Sequence, residues 1–197
     1  DLKPRLHVQR TDNILIKGYV ASGDTAGALI GSVHTIENKY ETPFIEHAYI
    51  EPEAGYAIRD RNRIIIHGCT QAPFMNRDSI SRILGLRSED VRIIPTGCGG
   101  GFGSKLDLSY QPYIALAAWK LDRPVGIVYS RNESMKTTTK RHPSEISIKV
   151  GCDENSRITA IDFHGTFNTG AYASWGPTVA NRVPVHASGP YKVPNYL

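Results

Sequence analysis

The stretch TGCGGGFGSK, residues 96–105, contains five glycines in seven consecutive positions. A β-branched run at residues 91–95 precedes it and predicts a short strand. The helix predicted after it ends before Pro124 and has an apolar stripe at i, i+3, i+4 and i+7, formed by Ile114, Ala117, Ala118 and Leu121. Because glycine has no Cβ, such a loop lets backbone N–H groups converge on an anion or an oxo group. The pattern alone leaves two alternatives of equal weight, a cofactor or anion loop and a tight structural turn.

The glycine loop does not have the spacing of the common nucleotide-binding motifs. A P-loop ends in Gly-Lys-Ser/Thr, whereas here Lys105 follows the serine. A dinucleotide-binding loop would begin at Gly97 and Gly99, but Phe102 stands at the place of its third glycine. A nucleotide-binding protein that uses this loop is therefore a weaker alternative.

Strand and helix patterns are mixed along the chain and predict an α+β fold. Residues 32–66 contain several runs rich in β-branched and aromatic residues, which predict strands. A helix is predicted over residues 73–84, from Pro73 in its first turn to a stop at Gly85. Its apolar residues, which can share one face, are Phe74, Ile80, Ile83 and Leu84.

The second half of the chain predicts a hairpin with one buried face. Apolar residues alternate from Ile146 to Val150, and a polar turn leads to the apolar run at residues 158–163. We predict an initial segment or linker over residues 1–31 and one domain over residues 32–197. Since the chain begins without Met and ends in an extended, proline-containing stretch, we expect it to be a fragment of a larger subunit.

Composition excludes several classes of protein. The chain has 197 residues, a formal net charge of +4, and basic residues that are scattered, so no nucleic-acid partner is expected. It contains no stretch of about 20 apolar residues, so no membrane span is expected. The cysteines are Cys69, Cys98 and Cys152, and no CxxC spacing occurs among them, which argues against a metal or disulfide framework carried by this chain. A reducing, cytoplasmic location is the expectation.

Gln71 lies where a β-rich run gives way to the predicted helix. Its amide can point from the end of the sheet into a crevice, or it can cap the helix. Polar residues at helix starts usually satisfy unpaired N–H groups, so the residues alone favour the cap. Nearby, His47, Glu51 and Glu53 would share one face of a strand, but their spacing matches no metal motif and favours a polar network.

An ordered series of motifs resembles the molybdenum-binding subunit of the xanthine dehydrogenase and aldehyde oxidase family, the molybdenum hydroxylases. The similarity runs from about residue 20 to the end of the chain, and its strength lies in the order of the motifs. In chain order they are EHAYIEP at 46–52, GCTQ at 68–71, GGGFGSK at 99–105, ALAAWK at 115–120 with RPV at 123–125, RHP at 141–143 and GPYKVPN at 189–195.

The resemblance implies a molybdenum cofactor-binding domain of an oxidoreductase that transfers oxygen from water to an aldehyde or N-heterocycle carbon. Its cofactor would be molybdenum-molybdopterin, with the cytosine dinucleotide form among the forms to be expected. It implies that Gln71 hydrogen-bonds an oxygen ligand of molybdenum, and that Gly100, Gly101, Phe102 and Gly103 present backbone to the metal and the pterin. Gln71 then changes from a helix cap to a donor that orients a ligand.

Two positions bear on the substrate, a small molecule. Leu106 stands where the purine-oxidising members of the family have a glutamate. The aldehyde-oxidising members have an apolar residue there, so the resemblance at this position favours a less polar substrate. Arg182 falls where the purine enzymes have a substrate-binding arginine; it would bind an anionic or carbonyl group or pair with a carboxylate.

The resemblance also implies parts that this chain lacks. The family's catalytic glutamate lies far downstream, so we expect the chain by itself to be inactive and to contain no catalytic residue. Iron–sulfur clusters and FAD are expected on other domains or subunits, in an oligomeric enzyme. A non-catalytic binding or scaffold module of the same fold is the alternative.

Overall fold

The computed structural model describes residues 12–197, which form two compact units. One unit contains the described residues up to Ile45 together with His142–Leu197, and the other contains Glu46–Arg141. Each unit combines a four-stranded sheet with helices, which confirms the α+β class. Residues 1–11 of the predicted initial segment lie outside the described part, and the division at residue 32 stays a prediction.

The first unit is built on a sheet with the strand order β1-β6-β7-β8. Strand β1 pairs antiparallel with β6 from His34 opposite Cys152 to Thr42 opposite Ser144, and β6 pairs antiparallel with β7, which confirms the predicted hairpin. The apolar residues of β6 are half-buried rather than buried. The elements of this unit are α1 (Thr25–Ile30), β1 (His34–Thr42), β6 (Ser144–Cys152), β7 (Ile158–Phe167), α5 (Gly176–His186) and β8 (Asn195–Tyr196).

The second unit has the strand order β4-β3-β2-β5, in which only the pair β3–β4 is parallel. The chain passes from β3 to β4 through helix α2, as a parallel pair requires a crossover. Its elements are β2 (Ala54–Asp60), β3 (Arg63–Gly68), α2 (Pro73–Leu84), a 3₁₀ turn (Ser88–Asp90), β4 (Val91–Pro95), α3 (Gln111–Leu121), β5 (Val125–Val128) and α4 (Arg131–Thr137).

The core of the second unit lies between its sheet and helices α2 and α3. Alternating residues of β3 point toward the helices, so that every second residue of this strand is buried. The fully or nearly fully buried members of the core are Ala57, Ile64, Ile66, Ile80, Val91, Tyr110, Ile114, Ala115 and Ala118. This core fixes the edge of the sheet from which the functional segments leave.

Helix α2 has the predicted bounds because both end signals act. Pro73 stands in the first turn, where its missing N–H costs nothing, and Gly85 adopts a left-handed φ of 67° at the C-terminus. The predicted shared apolar face is wrong, since Ile80 is buried whereas Phe74 is 73% exposed and contacts Arg77. In α3, likewise, Leu121 is exposed, because the buried positions are Ile114, Ala115 and Ala118.

The predicted strand around His47, Glu51 and Glu53 does not form. Residues 46–53 are irregular, and Ala48 adopts a positive φ of 51°, which a strand does not allow. The side chains therefore do not alternate as a strand would place them. Among residues 12–197, no helix is long and apolar enough to cross a bilayer.

Candidate functional site

The Gln71 turn and the glycine loop leave the sheet at the same edge. Strands β3 and β4 run parallel, and their last residues, Gly68 and Pro95, are paired. Each strand is followed directly by one of the two segments, and Thr96 N–H donates to the carbonyl of Gly68 at 3.2 Å. Parallel pairing therefore brings together segments that are distant in sequence.

The side chain of Gln71 binds the backbone of the glycine loop. Its Oε1 accepts hydrogen bonds from the N–H groups of Gly103 at 3.1 Å and Lys105 at 3.2 Å. The helix-cap alternative is wrong, because Ala72 is the N-cap of α2 and no side chain bonds the helix N–H groups there. Because two N–H donors occupy the amide oxygen, Nε2 is left as a donor on an exposed residue.

The glycine loop has an unusual backbone between Gly100 and Gly103. Gly100 and Gly103 have φ of 97° and 100°, and Phe102 between them has φ of 53° with a side chain that is 66% exposed. A large side chain in the left-handed region costs free energy and marks a conformation that its surroundings impose. Among residues 12–197, no acceptor contacts the N–H groups of Gly100, Gly101 and Phe102. The loop thus presents successive N–H donors beside the amide of Gln71.

Gly101 lies so close to Gln71 that a side chain at position 101 would displace the amide. A Cβ at Gly101 would lie 2.4 Å from Gln71 Oε1, well inside contact distance. Gly97, in the same loop, differs, because a Cβ there would meet nothing within 4 Å. The glycine at 101 therefore allows the Gln71 amide to approach the loop backbone closely, and its φ does not by itself favour glycine.

An ion pair joins the two ends of the glycine loop. Lys105 Nζ contacts the Glu51 carboxylate at 2.9 Å and the Glu51 carbonyl at 2.8 Å, and it lies 4.4 Å from the centre of the Tyr49 ring. The same carboxylate accepts the N–H of Gly99 at 2.8 Å. The Lys105 side chain is only 2% exposed, so its charge is balanced almost entirely within the protein.

The two partners stabilise each other's charged form. Burial by itself raises the pKa of Glu51, but hydrogen bonds from Lys105 and Gly99 outweigh it and hold the pKa below 4.5. Burial by itself lowers the pKa of Lys105, but hydrogen bonding to Glu51 and the interaction with Cys69 raise it above 10.5. Both groups are therefore ionised near neutral pH.

A buried polar layer lies beneath the loop. The Tyr49 hydroxyl donates to Glu53, whose side chain is almost fully buried. Asn76 of α2 contacts the Thr70 hydroxyl and donates to the carbonyl of Leu106 at 2.9 Å. Buried polar groups held in this way rigidify their surroundings.

The residues predicted for cofactor binding come together, whereas those predicted for substrate do not all lie in the same unit. Gln71 and Gly100–Gly103 meet at one edge of the second unit, and Leu106 follows the loop with a half-buried side chain. Arg182 is an exposed residue of α5 in the first unit. Sequence reasoning missed the pairing of Glu51 with Lys105, although both belong to motifs on which the family resemblance rests.

The donor set fits an oxygen-rich cofactor better than a metal ion bound directly by side chains. Within the described range 12–197, no group of three or more His, Cys, Asp or Glu side chains could hold a metal. The site instead offers an amide N–H₂ and backbone N–H groups, which suit oxo or other oxygen acceptors. A molybdenum whose own ligands include oxygens is compatible with these residues.

Comparison with known proteins agrees with this geometry. The molybdopterin cofactor-binding domain family matches residues 6–197. A probable xanthine dehydrogenase subunit of Bacillus subtilis is 38% identical over 192 residues, which are 97% of this chain and 26% of that protein. The nicotinate dehydrogenase large molybdopterin subunit of Eubacterium barkeri is 40% identical over 178 residues, which are 90% of this chain and 42% of that protein. The chain thus spans less than half the length of either relative.

A solved structure supports the fold. The aldehyde oxidoreductase of Desulfovibrio gigas superposes with a TM-score of 0.80 over 90% of this chain and 20% of that one, at 23% identity. From the match over residues 6–197 and the two relatives, the chain belongs to the molybdopterin cofactor-binding domain family of the molybdenum hydroxylases.

Proposed function

We propose that the full-length protein is a molybdenum hydroxylase, and that this chain binds its molybdopterin cofactor through Gln71 and the glycine loop, Gly100–Gly103. The observation that carries the proposal is the pair of hydrogen bonds from Gly103 and Lys105 to Gln71 Oε1. These bonds hold the amide so that Nε2 and the unpaired loop N–H groups are donors in one place. When bound, the cofactor would supply the redox chemistry that inserts an oxygen from water into a C–H bond.

The chain's own residues would orient the cofactor. Gln71 Nε2 donates to a cofactor oxygen, and its orientation is fixed because its other end is bonded twice. Backbone N–H groups of Gly101 and Phe102 add donors that need no rearrangement on binding, since the loop conformation is already set. Donors placed in this way tune a metal centre without ligating it.

The substrate we propose is an N-heterocycle. The relatives named as a xanthine dehydrogenase and a nicotinate dehydrogenase support this class, whereas the likeness to the aldehyde oxidoreductase concerns the fold alone. Leu106, which follows the loop, would supply an apolar contact to the substrate, and Arg182 stays a predicted substrate-binding residue of the other unit. Iron–sulfur and FAD groups on other domains or subunits would carry the electrons away.

The first test is the molybdenum content of the purified full-length protein. We expect about one molybdenum per subunit with a bound pterin, and incorporation of labelled oxygen from isotope-labelled water into a hydroxylated N-heterocycle. Active protein without molybdenum would refute the proposal, and inactive protein that binds neither metal nor pterin would favour the scaffold alternative.

Two variants of Gln71 test its role. Gln71→Ala removes both the acceptor and the donor, and we expect turnover to fall by about 10–100-fold. Gln71→Glu keeps oxygens that can accept from Gly103 and Lys105 but removes the N–H₂ donor, so it should retain the melting temperature and still lose activity. Full activity in Gln71→Glu would show that the amide donor is not needed.

A further inference from the structure

We infer that Glu51 and Lys105 form a clamp that sets the spacing between the glycine loop and Gln71, and that both are positioning residues of the cofactor site. The inference rests on the proposed function, since it concerns the same site. It adds two residues that act through the loop and through Gln71. The clamp consists of hydrogen bonds between Glu51 and Gly99, hydrogen bonds between Lys105 and Gln71, and the ion pair between Glu51 and Lys105.

Glu51 holds the beginning of the loop from two sides. Its N–H donates to the Gly99 carbonyl at 3.2 Å, and its carboxylate accepts the Gly99 N–H at 2.8 Å. A Cβ at Gly99 would lie 2.5 Å from Glu51 Cβ, so the two backbones are in close contact. Gly99, which directly precedes residues 100–103 of the loop, is therefore fixed to the irregular segment 46–53.

Lys105 holds Gln71 from two sides at the other end of the loop. Its N–H donates to Gln71 Oε1 at 3.2 Å, and its carbonyl accepts the Gln71 N–H at 2.9 Å. The position of Lys105 therefore fixes both the backbone and the side chain of Gln71.

The side-chain ion pair connects these two anchors. Lys105 Nζ lies 2.9 Å from the carboxylate that binds Gly99 and 2.8 Å from the carbonyl of the same residue. Because the ammonium is nearly fully buried against the Tyr49 ring, solvent cannot replace Glu51 as its partner. Loss of Glu51 would leave the Lys105 charge buried without its partner, a strongly unfavourable state, and loss of Lys105 would leave the Glu51 carboxylate, which is 33% exposed, without the group that fixes its direction.

The clamp matters because the loop between its ends is strained. Positive φ at Phe102 persists only where the surroundings over-determine the backbone, and the anchors at Gly99 and Lys105 bracket that residue. If the anchors separate, the N–H groups of Gly101 and Phe102 lose their fixed direction relative to Gln71 Nε2. The geometry thus makes the clamp a determinant of cofactor position and not of overall folding alone.

The test is Lys105→Met in the full-length protein, which keeps the side-chain length and removes the charge. We expect amide hydrogen exchange in the peptide covering residues 99–106 to be about tenfold faster or more. The molybdenum content of the variant should fall. The molybdenum that is still bound should give a changed paramagnetic resonance spectrum in the reduced enzyme. The matched control is Lys140→Met, which breaks a partly buried ion pair with Glu46 in the same unit and contacts neither Gln71 nor Gly99. It should leave the spectrum as in the wild type.

Glu51→Gln keeps the inference testable if Lys105→Met does not fold. The amide oxygen of Gln can still accept from Gly99, so this variant removes the ion pair with less disturbance of the loop. We expect faster exchange at residues 99–106 and a changed spectrum here too, and little further effect when both substitutions are combined. Wild-type exchange and a wild-type spectrum in Glu51→Gln would overturn the inference.

The outcomes separate this inference from the proposed function. Wild-type protein that contains no molybdenum would refute the function, and exchange in the variants would then report on the clamp alone. If the wild-type protein contains molybdenum, and the variants have the same molybdenum content, spectrum and loop exchange rate as the wild type, only the clamp is refuted.

Discussion

The two units place their polar groups in opposite ways. In the first unit, eight of the nine residues of β1 are exposed, and its charged side chains lie on the surface. In the second unit, Glu53, Asn76 and Lys105 are at most 3% exposed. The Glu53 side chain accepts from the Tyr49 hydroxyl, and those of Asn76 and Lys105 donate to backbone carbonyls. The sheet of the first unit is a regular ladder of strands, whereas buried polar contacts in the second unit stabilise an irregular loop.

This difference shows which interactions determine the conformation of each unit. A regular ladder such as β1–β6–β7 is defined by register and by alternation, so many side chains can change without altering it. A loop with positive φ at Phe102 depends on particular partners, and removing one of them leaves buried polar groups unsatisfied. The candidate site lies in the unit that is less tolerant of substitution.

The largest effect on stability should come from replacing a buried isoleucine of the second unit by alanine. The same substitution at an exposed isoleucine of the first unit provides the comparison. Ile80→Ala removes a fully buried side chain of α2, and we expect the local free energy of unfolding to fall by about 2–5 kcal/mol. Ile36→Ala removes a side chain of β1 that is 62% exposed, with an expected loss below about 1 kcal/mol. Native-state amide exchange of α2 and of β6 in the full-length protein measures the two effects.

Equal losses of unfolding free energy at the two positions would contradict this difference between the units. A loss at Ile36 as large as that at Ile80 would mean that another part of the full-length protein covers β1. A small loss at Ile80 would mean that the second unit's core repacks around the cavity.

A substitution in the glycine loop should have a smaller effect on stability and should lower turnover. Gly101→Ala places a Cβ where Gln71 Oε1 now lies, at 2.4 Å, so the amide must move away from Gly103 and Lys105. We expect turnover of the full-length enzyme to fall by about 10–100-fold with a small change in melting temperature. Gly97→Ala is the control, because its Cβ meets nothing within 4 Å. Equal activity in the two variants would show that the close approach of Gly101 to Gln71 is not needed.

The regular elements could be predicted from sequence because their signals are local. Pro73 and Gly85 bound α2 in the sequence as in the structure, and the alternation in β6 predicted its pairing with β7. The glycine content predicted a loop able to present backbone donors. These signals act over a few residues, where propensity and periodicity are informative.

The contacts of the site could not be predicted in the same way, because they depend on tertiary pairing. Gln71 was favoured as a cap from residues alone, yet its partners lie 32 and 34 positions away, across the parallel pair β3–β4. Segment 46–53 contains the β-prone residues Tyr49 and Ile50, which favour a strand, but Glu51 is held by Lys105, 54 positions away. Only the family resemblance led from sequence to the role proposed for Gln71.

The smallest effect should be a pH dependence confined to the loop. The folded-state pKa of Glu51 is lowered, so its stabilising contribution is present above the pKa of an unfolded glutamate and is lost as the pH falls through the folded pKa. The folded-state pKa of Lys105 is raised, so its contribution is complete below the pKa of an unfolded lysine and is lost as the pH rises through the folded pKa. Exchange of residues 99–106, corrected for intrinsic rates, should therefore be constant at intermediate pH and accelerate at both ends.

The strands of the first unit and Glu51→Gln serve as controls for this dependence. The β6–β7 hairpin lacks a buried ion pair among its described residues, so its corrected exchange should not follow the loop's acid step. In Glu51→Gln the acid step of the loop should disappear, because the titrating carboxyl is gone. A loop that loses protection at the same pH as the hairpin, or an acid step that survives Glu51→Gln, would place the titration elsewhere. The other carboxylates of lowered pKa in the same unit are Glu46, Asp90 and Glu133.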